Sequence, residues 1–93
     1  MMIGVLTLEL SVREAQSLKD KRRIIQSIKT RIRNSFNVSV AEVGHLDDRQ
    51  RCRLAVVMVS RESRPLHSQL DKMVDLVRRS AGLTLIDYGR EIL

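Results

Sequence analysis

The first helix-forming segment carries basic residues where a helix usually carries acidic ones. The run SLKDKRRIIQSIKTRIR, from Ser17 to Arg33, opens with four cations, Lys19, Lys21, Arg22 and Arg23. The N-terminal end of a helix is already positive, so each cation there costs a few tenths of a kcal/mol, up to about 1, unless an anion lies close. Free backbone amides at a helix start also bind phosphate groups. We therefore interpret this segment as a candidate contact for phosphate.

Further cations extend the basic segment along one side of the predicted helix. Positions three and four residues apart share a helix face. Lys19, Arg22, Gln26, Lys29 and Arg33 follow these steps and form a polar stripe beside an apolar one. The candidate anion-binding residues are Arg13, Lys19, Lys21, Arg22, Arg23, Lys29 and Arg33. The alternative is a solvated face whose cations pair locally with Glu14 and Asp20.

Charge and aromatic content together define the kind of partner that these cations would bind. The 93 residues carry a net charge of +6 with a pI near 10.4, which favours a polyanion. Phe36 and Tyr88 are the only aromatic residues, and Phe36 is expected in the core. Stacking of single-stranded bases is therefore not expected, and contact with the backbone of structured or ribosomal RNA is the predicted mode. Arg49, Arg51 and Arg53 either extend such a surface or simply favour solubility.

Other reactive side chains suggest ordinary structural roles. His45, Asp47, Asp48 and Cys52 lie close in sequence, but their spacing matches no compact zinc motif, so an ordinary polar loop is predicted. His67 and Asp71 are four residues apart and are predicted to pair on a helix surface. We predict no catalytic residue, no metal site and no cofactor.

The hydrophobic pattern predicts six elements in the order strand, helix, strand, strand, helix, strand. Predicted strands are Ile3 to Leu10, Asn37 to Val43, Arg53 to Val59 and Leu83 to Tyr88, with GREIL as a tail or a short further pairing. The first helix follows the N-cap Ser17 and runs to about Asn34 or Ser35; the second starts around Pro65 and stops at Gly82. This order predicts a single α+β domain, residues 1–93, with a ferredoxin-like βαββαβ fold. Its four-stranded antiparallel sheet has the order 4-1-3-2, with both helices on one face.

The first and third predicted strands are apolar on both of their faces. In the third strand, Leu54, Val56 and Met58 alternate with Ala55, Val57 and Val59. Two helices cover only one face of the sheet, so we predict a homodimer that packs through the other face. A ligand-binding or regulatory homodimer, with its ligand at the dimer interface, is the main alternative function.

Phosphate chemistry of the acylphosphatase type is a third possibility. Acylphosphatases have this topology and bind phosphate in the loop between the first strand and first helix, where Arg13 lies here. Their loop is rich in glycine, whereas SVREAQ contains none, so several backbone amides cannot readily point at one anion.

Several segments resemble a known family of small bacterial proteins. MIGVLTLEL, EAQSLKDKRR, RNSFNVSVAEV, VVMVS and LIDYGREIL are similar, in order and over nearly the whole chain, to the YlxP-like family, also called domain of unknown function 503. The resemblance implies a ferredoxin-like fold and supplies no catalytic residue. Members are often encoded beside translation factors and a ribosome-maturation factor, which implies a role linked to the ribosome or RNA.

Cysteine content and the N-terminal segment bear on where the protein acts. Cys52 is the only cysteine, so no intrachain disulfide can form. MMIGVLTLEL has no basic leader region, and Glu9 interrupts it well short of a membrane span. We expect a cytoplasmic, non-enzymatic protein with no membrane contact.

Overall fold

Two ten-residue strands form the centre of the sheet. The computed structural model describes all residues from Met1 to Leu93, and its first strand, β1, spans Met2–Ser11. β3 spans Arg51–Ser60 and pairs antiparallel with β1 over its full length, from Met2 opposite Ser60 to Ser11 opposite Arg51. Both strands are rich in β-branched residues and leucine, which suit a buried position in a sheet.

Shorter strands complete the sheet on both sides. β2, Ser39–Gly44, pairs antiparallel with β3, and β4, Thr84–Ile92, pairs antiparallel with β1. The resulting order is β2-β3-β1-β4, so the predicted ferredoxin-like α+β arrangement is confirmed. The segment GREIL belongs to β4 except for Leu93, and Ile92 lies opposite Gly4. The last strand is therefore longer than the predicted Leu83 to Tyr88.

Both helices begin close to their predicted positions. α1 spans Leu18–Ser35, and the hydroxyl oxygen of its N-cap Ser17 accepts a hydrogen bond from the backbone N–H of Asp20, at 3.1 Å. α2 spans Ser63–Arg78, with Pro65 in its first turn. It ends before Gly82, which was predicted as its stop. Gly82 instead adopts a φ of 84° in the turn that leads into β4, a conformation that favours glycine.

The core lies between the sheet and the two helices and is entirely aliphatic apart from sulfur-containing residues. Leu6, Leu8 and Leu10 of β1 point into it, and Phe36 packs against it while partly exposed. Gly4 lets α2 lie close to β1, because a Cβ atom at this position would come within 2.8 Å of Leu66 Cδ1. Neither helix is long and apolar enough to cross a membrane.

Candidate nucleic-acid interface

α1 carries the whole net charge of the protein. Between Leu18 and Ser35 there are seven lysine and arginine residues and one carboxylate, Asp20. The remaining residues contain ten of the 17 cations and ten of the 11 carboxylates, so they are electrically balanced. The charge of +6 is therefore a property of one helix, not of the surface as a whole.

Lys21 does not belong to this exposed charge. Its side chain is completely buried, and its Nζ donates hydrogen bonds to the carbonyl oxygens of His45 and Asp48, at 2.7 and 2.6 Å. Nζ also lies 3.0 Å from Oε2 of Glu42, at the end of β2. The acceptors of the ammonium group therefore all belong to the protein itself, and the buried Lys21 cannot contact an external phosphate. A carboxylate and two carbonyl dipoles offset the cost of a cation in the first turn of α1.

The loop that Lys21 contacts is joined to the start of α1 by further hydrogen bonds. The backbone N–H of Val12 donates to the carbonyl oxygen of Gln50, at 2.8 Å. The side chains of Gln50 and Arg49 donate to the carbonyl oxygens of Arg13 and Gln16, at 3.5 and 3.4 Å. The β2–β3 loop and the β1–α1 loop thus form one hydrogen-bonded corner, and the Lys21 ammonium contacts the β2–β3 loop of this corner.

Five of the predicted anion-binding residues lie on α1 with side chains that are exposed or partly exposed. Lys19, Arg22 and Arg23 are exposed, and Lys29 is partly exposed. Arg33 is also exposed, and its Nη2 donates to the carbonyl oxygen of Val40 in the edge strand β2, at 3.0 Å. None of the five forms an ion pair within the chain. We call these residues the outward cations: Lys19, Arg22, Arg23, Lys29 and Arg33.

Arg13 lies apart from the outward cations. It is exposed in the β1–α1 loop and lines a depression together with residues from β1, β3 and β4. Its neighbours there include Ser11, Arg51 and Thr84. The sequence placed Arg13 in the loop before α1 but grouped it with the helix cations as an anion-binding residue, because the position of its side chain depends on how the two loops pack.

The three arginines of the β2–β3 hairpin have three different environments. Arg49 contacts the β1–α1 loop through Gln16, as described above. Arg53 Nε hydrogen-bonds Oε1 of Glu9, and Nε2 of His45 lies 3.4 Å from the other carboxylate oxygen. The hydrogen bond and charge of Arg53 hold the pKa of Glu9 below its ordinary value, against the opposing effect of burial. Arg51 forms no ion pair.

The remaining polar candidates also have structural partners. His67 and Asp71 do not pair with each other, because Arg90 from β4 lies between them and contacts both side chains. Cys52 points into the core, where burial and the nearby Glu42 carboxylate raise the pKa of its thiol to about 12. The Arg78 guanidinium lies 5.5 Å from the centre of the Tyr88 ring, so this ring already has a cationic partner.

The face of the sheet opposite the helices is uncovered and partly apolar. Val57 and Val59 of β3 are 39% and 60% exposed there, opposite Val5 and Ile3 of β1. We call these four side chains, together with Ala55, the apolar patch. Towards the other end of the two strands the same face becomes polar, at the Glu9 and Arg53 pair.

Comparison with known proteins identifies a family and a solved structure of similar fold. A family model described as "Protein of unknown function (DUF503)" matches residues 3–90. The chain is 34% identical over 76 residues to "Uncharacterized protein YlxP" of Bacillus subtilis (strain 168), covering 82% of this chain and 83% of that protein. Among solved structures, "De novo designed protein Foldit4" superposes with a TM-score of 0.57 at 10% identity, over 100% of this chain and 97% of that one. This last similarity concerns the fold alone.

Proposed function

The chain belongs to the DUF503 family, and we propose that it is a non-catalytic protein that binds structured or ribosomal RNA through α1. The observation that supports this function is the position of the charge. The whole net charge of +6 lies on α1, and the outward cations carry five of its unpaired positive charges. A concentrated positive surface on an otherwise balanced protein attracts a polyanion to that one surface.

The side chains of this surface favour contact with the nucleic-acid backbone. Lysine and arginine bind phosphate oxygens by charge and by hydrogen bonds. Fourteen residues separate Lys19 from Arg33, which corresponds to about 21 Å along a helix. That length is enough for several successive phosphates. The central strands β1 and β3 contain no aromatic residue, so they offer no aromatic side chain on which bases could stack.

Lys21 contributes to this proposed function indirectly. By joining α1 to Glu42 and to the carbonyl groups of the β2–β3 loop, it fixes the first turn of the helix on the body of the protein. Lys19, Arg22 and Arg23 lie in the same part of α1. A rigid support lowers the entropy that these long side chains lose on binding, compared with a frayed helix start.

A salt series tests the proposed interface directly. Purified protein is titrated with ribosomal subunits and with a short structured RNA at increasing salt concentration. We expect affinity to fall with a log–log slope of roughly −0.7 to −0.9 for each phosphate contacted, so five contacts give a slope of about −4. Absence of binding at low salt, or binding that does not depend on salt, would contradict the proposal.

We also propose that a second copy of the chain covers the apolar patch. The residues outside α1 carry no net charge, so the repulsion between two copies arises mainly from their basic helices, acts across both sheets and is screened by salt. α1 lies on the opposite side of the sheet, and such a dimer therefore keeps the two basic helices on its outer surfaces. Burial of the exposed valines of β3 supplies the hydrophobic contribution.

A further inference from the structure

A polar depression lies at the end of the sheet where β1 finishes. It has a volume of about 460 Å³ and is lined by side chains from β1, β3, β4 and the two loops of the hydrogen-bonded corner. The lining residues used below are Ser11, Arg13, Gln50, Arg51 and Thr84. None of them lies on α1, so the depression is separate from the outward cations.

Strand register places a guanidinium and two hydroxyl groups in one row across the sheet. Ser11 of β1 lies opposite Arg51 of β3 on one side and opposite Thr84 of β4 on the other. Leu10 and Cys52 point into the core, so their neighbours Ser11 and Arg51 point to the face without helices. Arg13, two residues beyond Ser11, lines the same depression. Two cations and two hydroxyl donors thus surround a single small space.

The two arginines of the depression lack the partners that other arginines in this protein have. Arg53, two residues after Arg51, forms an ion pair with Glu9, and Arg90 forms one with Asp71. Arg13 and Arg51 form no ion pair, and the Nε–H of Arg51 is buried without any hydrogen-bond acceptor. Neither guanidinium is therefore committed to a carboxylate of the chain, and both can bind an anion in the depression.

We infer that this depression binds a small tetrahedral oxyanion of the phosphate class, either inorganic phosphate or the terminal phosphate of a monoester. Guanidinium groups match the geometry of phosphate oxygens and bind them with charge-assisted hydrogen bonds. The hydroxyl groups of Ser11 and Thr84, next to Arg51 in the same row across the sheet, supply neutral donors. Asp48 also lines the depression, but its Oδ1 accepts the backbone N–H of Gln50 at 2.8 Å, so part of its acceptor capacity is used within the loop.

A monoester or free phosphate fits this site better than a nucleic-acid backbone. The residues that carry the donors line one depression, whereas a polynucleotide needs a row of contacts along an open surface. A dianion also gains more from two guanidinium groups than a singly charged diester does. The inference therefore goes beyond the RNA interface on α1 and does not depend on it.

Titration of the labelled full-length protein in solution tests this site. Inorganic phosphate, methyl phosphate and dimethyl phosphate are added separately at constant ionic strength, and backbone amide shifts are followed by NMR. We expect inorganic phosphate and methyl phosphate to shift the amides of Ser11, Arg13, Arg51 and Thr84 in a saturable manner. Dimethyl phosphate should bind about tenfold more weakly or not at all, because it carries one charge fewer.

Matched variants separate a specific site from general attraction to a basic protein. Arg51→Gln should weaken phosphate binding about tenfold or more, since it removes a charge-assisted donor. Arg61→Gln removes the same charge from an exposed residue outside the depression and should leave the affinity unchanged. Thr84→Val tests the hydroxyl with little change in shape, and should weaken binding severalfold.

Three results would overturn the inference. They are the absence of saturable shifts, equal weakening by Arg51→Gln and Arg61→Gln, and shifts confined to α1. Phosphate binding that survives charge reversal of the outward cations would support this site even if the RNA proposal failed. Preference for dimethyl phosphate would instead assign the depression to the nucleic-acid backbone.

Discussion

The Nζ of Lys21 lies 3.0 Å from Oε2 of Glu42, with the lysine side chain completely buried and the glutamate 16% exposed. The same ammonium group donates to two carbonyl oxygens of the β2–β3 loop. One cation therefore joins α1, the end of β2 and the hairpin loop. Its position in the first turn of α1, unfavourable for an isolated helix, is explained by these acceptors.

Removal of the Lys21 charge should destabilise the protein strongly. In Lys21→Met the largely buried carboxylate of Glu42 and two carbonyl groups lose their partner, and we expect the free energy of unfolding to fall by about 3 kcal/mol or more. Urea unfolding measures this change. Lys19→Met is the matched control, because Lys19 is exposed and unpaired, and it should change stability by no more than about 0.5 kcal/mol. Equal stability of the two variants would show that the Lys21 contacts contribute nothing.

Charge reversal on the outward side of α1 should abolish RNA binding without unfolding the protein. Lys19→Glu, Arg22→Glu and Lys29→Glu together replace three cations that form no ion pair within the chain. We expect loss of RNA retention in a filter-binding assay and a nearly unchanged thermal melt by circular dichroism. Surface substitutions of this kind usually alter stability by about 0.5 kcal/mol each or less.

A second triple variant controls for net charge in this experiment. Arg61→Glu, Arg64→Glu and Lys72→Glu change the charge by the same amount at exposed positions outside α1. This variant should retain most of the RNA affinity. If both variants lose binding equally, total charge and not α1 determines affinity; if only the α1 variant unfolds, its cations have a structural role.

The periodic elements of the fold were predictable because each repeats a local pattern. Ser17 was identified as the N-cap of α1 from its residue type, and the structure shows its oxygen bonded to the N–H of Asp20. The β-branched run from Arg53 to Val59 likewise predicted a central strand, and β3 spans Arg51–Ser60. Such patterns need only neighbouring residues. The end of β4 at Ile92 was less evident, because polar Arg90 and Glu91 interrupt its hydrophobic pattern.

The roles of individual charged residues depended on contacts between distant segments. Lys21 was grouped with the exposed cations, although it continues the buried stripe of Ile25, Ile28 and Ile32 at a step of four. That position was a detectable indication of burial. Its acceptors, by contrast, are more than 20 residues away, and only the packing of the hairpin loop brings them together. Arg51 required the strand register for the same reason.

Low pH should lower the free energy of unfolding through protonation of Glu9. The Arg53 contact lowers the pKa of Glu9 in the folded state below the ordinary value of 4.5, so the unfolded chain binds this proton more readily. The stabilisation is therefore complete above that value and is lost as pH falls through the lowered pKa. Glu9→Gln should reduce the slope of unfolding free energy against pH between about 2 and 6, measured by urea unfolding. Glu14→Gln, at an exposed unpaired carboxylate, should leave the slope nearly unchanged; an identical effect of both variants would contradict this role of Glu9.

Cys52 should be unreactive in the folded protein. Burial and the Glu42 carboxylate raise the pKa of its thiol to about 12, so almost no thiolate forms at neutral pH. Iodoacetamide at about pH 8 should modify the urea-unfolded chain rapidly and the native chain only as fast as it opens. Mass spectrometry follows the reaction. Lys21→Met should accelerate modification of the native chain relative to Lys19→Met, because it increases the population of open states. Rapid modification of the unaltered native chain would contradict the burial of Cys52.

Self-association should depend on the apolar patch and not on hydrophobic exposure elsewhere. Sedimentation velocity over a range of concentrations should show a monomer–dimer equilibrium for the unaltered chain. Val57→Lys with Val59→Lys should shift it to monomer, since two charges would otherwise be buried in the dimer. Both positions are already exposed in the single chain, at 39% and 60%, so the monomer fold should tolerate lysine there.

Leu46→Lys is the control for this experiment. It alters a 55% exposed residue in the β2–β3 loop and should leave the dimer intact. A monomer at every concentration, or a dimer unaffected by the valine substitutions, would contradict the proposal that a second copy packs on this face.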